Sequence, residues 1–216
     1  MDIAIIGAGN VGRALATSFV HAGHTVTIAS RATEDAGSVA ASAGAIVAPT
    51  NVDAVAGADI VVLATPFASA SAIATEIGDA VAGKVIVDVS NRMSFGASGP
   101  EIDTTTSNAE ELAELLPRAH VVKAFNTLFA TNQADPIADG VQLDGYVAGD
   151  DAAAKATVLA LVESVGLHPV DVGPLARARQ LEGLAFLNIT INIATDGSWQ
   201  SGWKLVDAPA TTKAAA

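Results

Sequence analysis

Ile3-Ala4-Ile5-Ile6-Gly7-Ala8-Gly9-Asn10-Val11-Gly12 is the stretch that decides the fold. A short apolar run turns into a helix through glycines at positions 7, 9 and 12. Gly7 allows a tight bend, Gly9 lets the backbone approach a pyrophosphate, and Gly12 lets the new helix pack closely on the strand. Asn10 and Val11 open that helix, whose first N–H groups and positive dipole end favour an anion. A glycine-rich turn alone often serves only to close a bend. Here the apolar strand precedes it, and Val11, Leu15 and Phe19 recur every fourth residue after it, so the context is that of a dinucleotide-binding turn.

Working outward, His24 to Ala29 alternates and is β-branched, and it delivers Ser30 and Arg31 to a strand end. An NAD site usually presents a carboxylate here for the ribose 2′-hydroxyl. A hydroxyl followed by a guanidinium instead suits a 2′-phosphate, which points to NADP; the plain alternative is a solvated loop arginine. The alternation continues with a strand over 45–48, a short helix over 52–56 and a strand over 60–64, read as parallel and covered on both faces. Ala64, Thr65 and Pro66 leave room at that strand end for the nicotinamide ribose. A helix carrying Ile73, Ile77 and Val81 follows, then a strand over 84–89 that leads Asn91 and Arg92 into the same crevice. Residues 93–106 break into Gly, Ser, Pro and Thr and read as a loop over the site. Ser107 with Glu110 forms a capping box before a helix with Leu112, Leu115 and Leu116 on its apolar side.

A strand over 120–124 ends in Asn126 and Thr127, placed where an acceptor ring would meet the nicotinamide. A strand-end cap and a turn former are the structural alternatives for these two. A strand over 145–149, a helix over 152–165 and a strand over 168–172 complete the pattern. The expected fold is therefore α/β, a Rossmann doubly wound, mostly parallel sheet, with residues 1–172 as the NADP-binding domain and 173–216 as a small C-terminal helical region. In that region Leu181 to Ala194 is apolar nearly all round, so it is expected to be buried in a core or between two subunits of a homodimer. Trp199 and Trp203 are expected to fold back on the body, and 211–216 to be disordered.

Bulk properties exclude several classes. The chain has 216 residues, half of them hydrophobic, and no cysteine, which removes disulfides and thiolate chemistry. The 23 acidic against 11 basic residues give a net charge of −12, unfavourable for nucleic acid. No apolar segment reaches the roughly 20 residues of a membrane span, and the N-terminus lacks a basic flank, so a cytoplasmic protein is expected. The four histidines stand apart and support no metal site. Tyr146 is the only tyrosine, which leaves no Tyr-x-x-x-Lys pair, and no histidine–carboxylate pair is expected. With no catalytic acid or base in view, the partner is expected to be a second redox coenzyme, reduced by positioning alone.

Gly-Ala-Gly-Asn-Val-Gly, Ser30-Arg31, Thr65-Pro66, Val121 to Thr127 and Gly173-Pro174-Leu175 with Arg179 and Glu182 resemble the coenzyme F420-dependent NADP oxidoreductase family. The Lys-Ala-Phe-Asn-Thr segment also resembles the reductase domain of six-transmembrane metalloreductases. The family resemblance implies a dimer with NADP and coenzyme F420 stacked ring on ring, Gly7, Gly9, Asn10 and Val11 cradling the pyrophosphate, and Ser30 and Arg31 on the 2′-phosphate. Arg177 and Arg179 are candidates for the anionic tail of the deazaflavin. Glu34 and Asp35 stand where archaeal members place a further basic residue. The alternatives are a reductase of flavin, ferric chelate or small imine, and a non-catalytic NADP sensor.

Overall fold

The computed structural model describes residues 1–97 and 99–207. The expectation for 211–216 falls outside them. The opening run forms β1 (Asp2–Ile6), and α1 (Asn10–His21) comes directly after the glycine turn. Then come β2 (Thr25–Ala29), α2 (Thr33–Ala43), β3 (Ile46–Val47), α3 (Asn51–Ala56), β4 (Ile60–Leu63), α4 (Ala70–Ile77) and β5 (Val85–Asp88). A hairpin of β6 (Met93–Gly96) and β7 (Gly99–Ile102) leads to α5 (Asn108–Leu115), β8 (His120–Lys123) and α6 (Ala130–Ala134). A second hairpin, β9 (Ile137–Ala138) and β10 (Val141–Gln142), precedes β11 (Asp144–Gly149), α7 (Ala152–Ser164), β12 (His168–Gly173) and α8 (Ala178–Thr195).

Eight strands make one sheet in the order β12-β11-β8-β5-β4-β1-β2-β3. The order runs outward in opposite directions from β1, which makes the β1–β4 boundary the switch point where such sheets open a ligand crevice. Alternation along β1 explains the two layers. Ile3 and Ile5 face one way, into a core with Leu15 and Phe19 of α1, Val39 of α2 and Val158 of α7. Ala4 and Ile6 face the other, against Val55 of α3, Ile73 of α4 and Leu112 of α5. Each fully buried Ile, Leu or Phe contributes about 1.5–3 kcal/mol, so these two cores dominate the fold.

β11 runs antiparallel to β8 while β12 is parallel to β11. Only Ala148 and Gly149 pair with Lys123 and Val122, so Asp144 to Val147 run on past the end of β8 as a wall beside the crevice.

The structure departs from the sequence-based expectations in three places, and in α8 it shows which face the chain itself buries. The strand at 45–48 is a two-residue edge whose Ile46 and Val47 face water rather than being covered, in keeping with a short, protected sheet edge. Residues 93–106 hold the β6–β7 hairpin instead of an irregular loop. Leu115, expected on the apolar side of its helix, is exposed because α5 buries Asn108, Ala109 and Leu112 instead. In α8 the buried line is Leu181, Glu182, Ala185, Asn188 and Asn192, while Leu187, Ile191 and Ile193 are 46–49% exposed. Its apolar residues therefore lie partly outside and its polar ones inside.

Candidate functional site

Five strands end level with one another: Ala29 of β2, Ile6 of β1, Leu63 of β4, Asp88 of β5 and Lys123 of β8 are register partners in sequence across the sheet. At about 4.8 Å per strand, this row spans roughly 19 Å. Just beyond it stand Ser30 and Arg31, Gly7, Ala64 to Pro66, Asn91, and Asn126 with Thr127. The candidate residues chosen from sequence are thus brought to one edge, with Ser30 and Arg31 at its far end.

The three glycines of the turn serve different needs. Gly7 has φ +113°, and a Cβ there would stand 2.3 Å from the Ala64 carbonyl oxygen. A Cβ on Gly12 would stand 2.0 Å from the Gly7 carbonyl oxygen. Both are therefore required by the protein's own packing. Gly9 caps α1 with ordinary extended backbone, and a Cβ there would meet nothing within 4 Å. The protein leaves that space open, and no side chain caps the helix end beneath it. Asn10 is exposed, Val11 half-buried. An open space over an uncapped helix N-terminus fits a pyrophosphate.

Ser30 is half-buried and Arg31 exposed, with no ion pair to Arg31 among the described residues. Glu34 and Asp35 occupy the first turn of α2, where they complement the helix dipole. That placement gives the acidic pair a local structural reason.

At the other end of the row, Phe125 adopts a left-handed conformation, φ +62°, while fully buried against Phe19. Its carbonyl accepts a 2.7 Å bond from Gln133 Nε2. A bulky residue held at positive φ marks strain tolerated for the placement of its neighbours in the chain. The next residue, Asn126, is clasped to Asn91: Asn126 Nδ2 donates to Asn91 Oδ1 at 2.9 Å, and Asn91 Nδ2 to the Asn126 carbonyl at 3.2 Å. This exchange leaves Asn126 Oδ1 buried with no hydrogen-bond partner. The missing partner is a donor, which the carboxamide of a nicotinamide has. Thr127 is buried beside it.

Below the clasp lies a group to which the sequence pattern assigned no role. Lys123 is fully buried, and its ammonium donates to Asp88 Oδ2 at 2.7 Å, Glu182 Oε1 at 2.7 Å and the Ser90 carbonyl at 2.6 Å. All three of its hydrogens are used. Asp88 Oδ1 also accepts from Ser90 Oγ at 2.7 Å and Asn108 Nδ2 at 3.0 Å. Glu182 of α8 accepts from the backbone N–H groups of Arg92 and Asn108, both at 3.1 Å. Burial raises the Glu182 carboxyl above its ordinary range, against the opposing pull of Lys123. The sequence did carry a signal for this group. A lysine inside the apolar run Val121 to Phe125 needs buried partners.

Three further expectations are corrected. Arg92 does not enter the crevice: its guanidinium pairs with Asp103 and Glu111 and lies over the Phe67 ring. Arg179 is committed to Glu110 through two parallel bonds of 2.7 and 2.8 Å, which hold the Glu110 carboxyl below its usual range. Arg177 remains exposed at the mouth of a cavity of about 420 Å³ lined by Tyr146, Leu181, Leu184 and Trp203. The histidines are not all isolated either. His168 Nδ1 lies 2.8 Å from Asp144 Oδ1, and His120 Nδ1 lies 3.5 Å from Asp151. The first pair serves structure. Burial would raise Asp144, but the Leu205 N–H, the Lys204 ammonium and the His168 ring hold its carboxyl below the usual range and tie the C-terminal tail to β11. No cluster of three metal-ligating side chains occurs among the described residues.

Trp203 folds back as expected, whereas Trp199 meets Phe129 edge to face and stays 42% exposed. No helix among the described residues is long and apolar enough to cross a membrane.

The doubly wound sheet and its strand-end crevice are those of a dinucleotide-binding oxidoreductase of the Rossmann class. The model for "NADP oxidoreductase coenzyme F420-dependent" matches residues 2–92. The F420-dependent NADP reductase of Methanothermobacter thermautotrophicus is 32% identical over 209 residues, covering 89% of this chain and 90% of that one. The chain belongs to the coenzyme F420-dependent NADP oxidoreductase family. A crystal structure from Arthrobacter sp. FB24, provisionally assigned as an F420-dependent NADP reductase, superposes with a TM-score of 0.86 at 33% identity, covering 95% of this chain and 99% of that one. Metalloreductase STEAP3 of Rattus norvegicus is 33% identical over 183 residues, 84% of this chain, but the chain spans only 36% of that protein's length.

Proposed function

We propose that the protein transfers a hydride between NADP(H) and a deazaflavin of the coenzyme F420 type. The observation that carries the reading is the level row of strand ends, with open space over Gly9 near the middle and an unmet buried acceptor, Asn126 Oδ1, toward β8. In this reading Gly7, Gly9, Asn10, Val11 and Gly12 hold the pyrophosphate, and Ser30 with Arg31 the 2′-phosphate. Ala64, Thr65, Pro66, Asn91, Asn126 and Thr127 border the nicotinamide ribose and ring. When bound, the two coenzymes supply the whole redox chemistry, since hydride passes directly between their rings. The chain's own residues orient the two rings and exclude water from between them, and the proton that accompanies the hydride on the reduced deazaflavin comes from solvent at the outer ring edge.

Residues 1–172 act as the coenzyme-binding part and 173–216 as the cover on the acceptor side. Arg177, at the mouth of the cavity beside α8, faces the anionic end of the acceptor. The exposed Leu187 and Ile191 of α8, one helical turn apart, meet a second copy of the chain, which gives the homodimer its apolar seam.

Following NADPH absorbance separately with coenzyme F420, FMN, FAD and a ferric chelate tests the reading. Oxidation with the deazaflavin alone supports it. Turnover with the ferric chelate instead favours the second reading, a ferric reductase, which the similarity to the rat metalloreductase motivates. Binding without turnover would leave a sensor.

A further inference from the structure

Asn91 is held from both sides by the buried charge group. The Ser90 carbonyl before it accepts from Lys123, and the Arg92 N–H after it donates to Glu182. Its side chain then fixes Asn126 through the reciprocal clasp. Ser90, Asn91, Arg92, Lys123 and Asn126 come from strand ends and the loops after them, and Glu182 comes from α8 on the acceptor side. Three charges gathered in a dry interior are a poor way to fill space, because apolar side chains of similar volume would do so at lower cost. Burial indeed disfavours the ionised Glu182. What the group does that apolar residues cannot is fix a loop through directional bonds. Every hydrogen of Lys123 is satisfied, which makes the loop's position specific.

We propose that Glu182, acting through Lys123 and Asn91, is a positioning residue that sets the Asn126 amide so that Oδ1 accepts a hydrogen bond from the nicotinamide carboxamide. The inference rests on the coenzyme reading above. It makes the C-terminal helix part of the nicotinamide end of the site, while Ser30 and Arg31, about 19 Å away along the row, do not depend on it.

Calorimetric titration of the wild type, Glu182→Gln and Asn91→Ala tests this with three ligands. These are NADP, its 3-acetylpyridine analogue, whose methyl ketone lacks the amide N–H, and adenosine 2′,5′-bisphosphate, which carries the adenosine end alone. The wild type is expected to prefer NADP over the analogue by about fivefold to tenfold, the worth of one neutral hydrogen bond. Both variants lose that preference, and all three proteins bind the bisphosphate alike. A merely structural role would weaken NADP and the analogue equally and leave the preference intact, which overturns the inference. Should Glu182→Gln fail to fold, Asn91→Ala decides alone, because it leaves the three charges in place; a preference that survives in it also overturns the inference. A wild type that binds the bisphosphate but does not distinguish the two dinucleotides refutes the carboxamide contact and leaves the coenzyme reading standing. A wild type that binds none of the three refutes both.

Discussion

Alanine at Gly9 separates what the glycine turn does for the protein from what it does for a ligand. Gly9 has φ −71° and ψ −171°, extended backbone that alanine adopts freely, and its Cβ would meet nothing within 4 Å. Folding should therefore be unharmed. Fewer unfolded conformations would stabilise Gly9→Ala by about 0.4–1 kcal/mol. For a chain of this size that raises the melting temperature by up to about 4 °C. The added methyl fills the space left over the α1 N-terminus, so NADPH affinity should fall at least about tenfold, a loss of roughly 1.4 kcal/mol. Gly12→Ala is the control. Its Cβ would lie 2.0 Å from the Gly7 carbonyl oxygen, a backbone atom that cannot step aside, so stability and binding fall together. Scanning calorimetry and isothermal titration on the two variants measure both quantities. A Gly9→Ala protein that melts several degrees lower, or that binds NADPH as the wild type does, would refute the reasoning.

Arg31→Ala should raise KM for NADPH about tenfold or more, as expected for a lost charge-assisted bond, with little change for NADH; an equal effect on both nucleotides rules out the 2′-phosphate role. The Asp144 carboxyl is held down in the folded protein, so its contribution to stability is full above its unfolded value of about 3.9 and is lost as pH falls through the lower folded value. Asp144→Asn should therefore flatten the acid limb of a melting-temperature profile, seen as a smaller drop below about pH 4; an unchanged limb would assign it elsewhere. Arg177→Ala should weaken an anionic deazaflavin acceptor without altering NADPH binding. Arg179→Ala, by breaking the fork to Glu110, should lower the melting temperature by a few degrees at most, since a partly exposed pair is screened by solvent. A reversal of these two effects in steady-state kinetics and thermal melts would show the wrong arginine has been assigned to the acceptor.

The opening strand–turn–helix unit and the Ser107 cap were legible because their cues are local. The glycine spacing, the alternation of Thr25 to Ile28 and the Ser107 cap each act through neighbours in the chain, and the structure contains the strand, helix and cap that they predict. The buried charge group was less legible because its members are distant in the chain. Lys123 meets Asp88 at a separation of 35 residues and Glu182 at 59, and nothing in local spacing announces either pair. The inner face of α8 was hidden for a related reason. Apolar residues all round a helix imply burial, but its inner line is occupied by Glu182, Asn188 and Asn192, whose partners Lys123 and Ser201 lie elsewhere. Arg92 and Arg179 were drawn toward ligands because their carboxylate partners, Asp103, Glu111 and Glu110, sit on other elements.

The reversed strand β11 has a consequence for how such a protein can change. Running past the end of β8, its Asp144 to Val147 stand as a wall beside the level row of strand ends, which is complete without them. Substitutions in the wall can reshape the cavity beside Tyr146 and Leu181 while the Gly7 to Gly12 turn stays untouched. The link that must be kept is the joint at Glu182. In the proposed reading, residues of this wall that do not touch Glu182 can change acceptor preference, while the joint at Glu182 ties the same helix to dinucleotide binding.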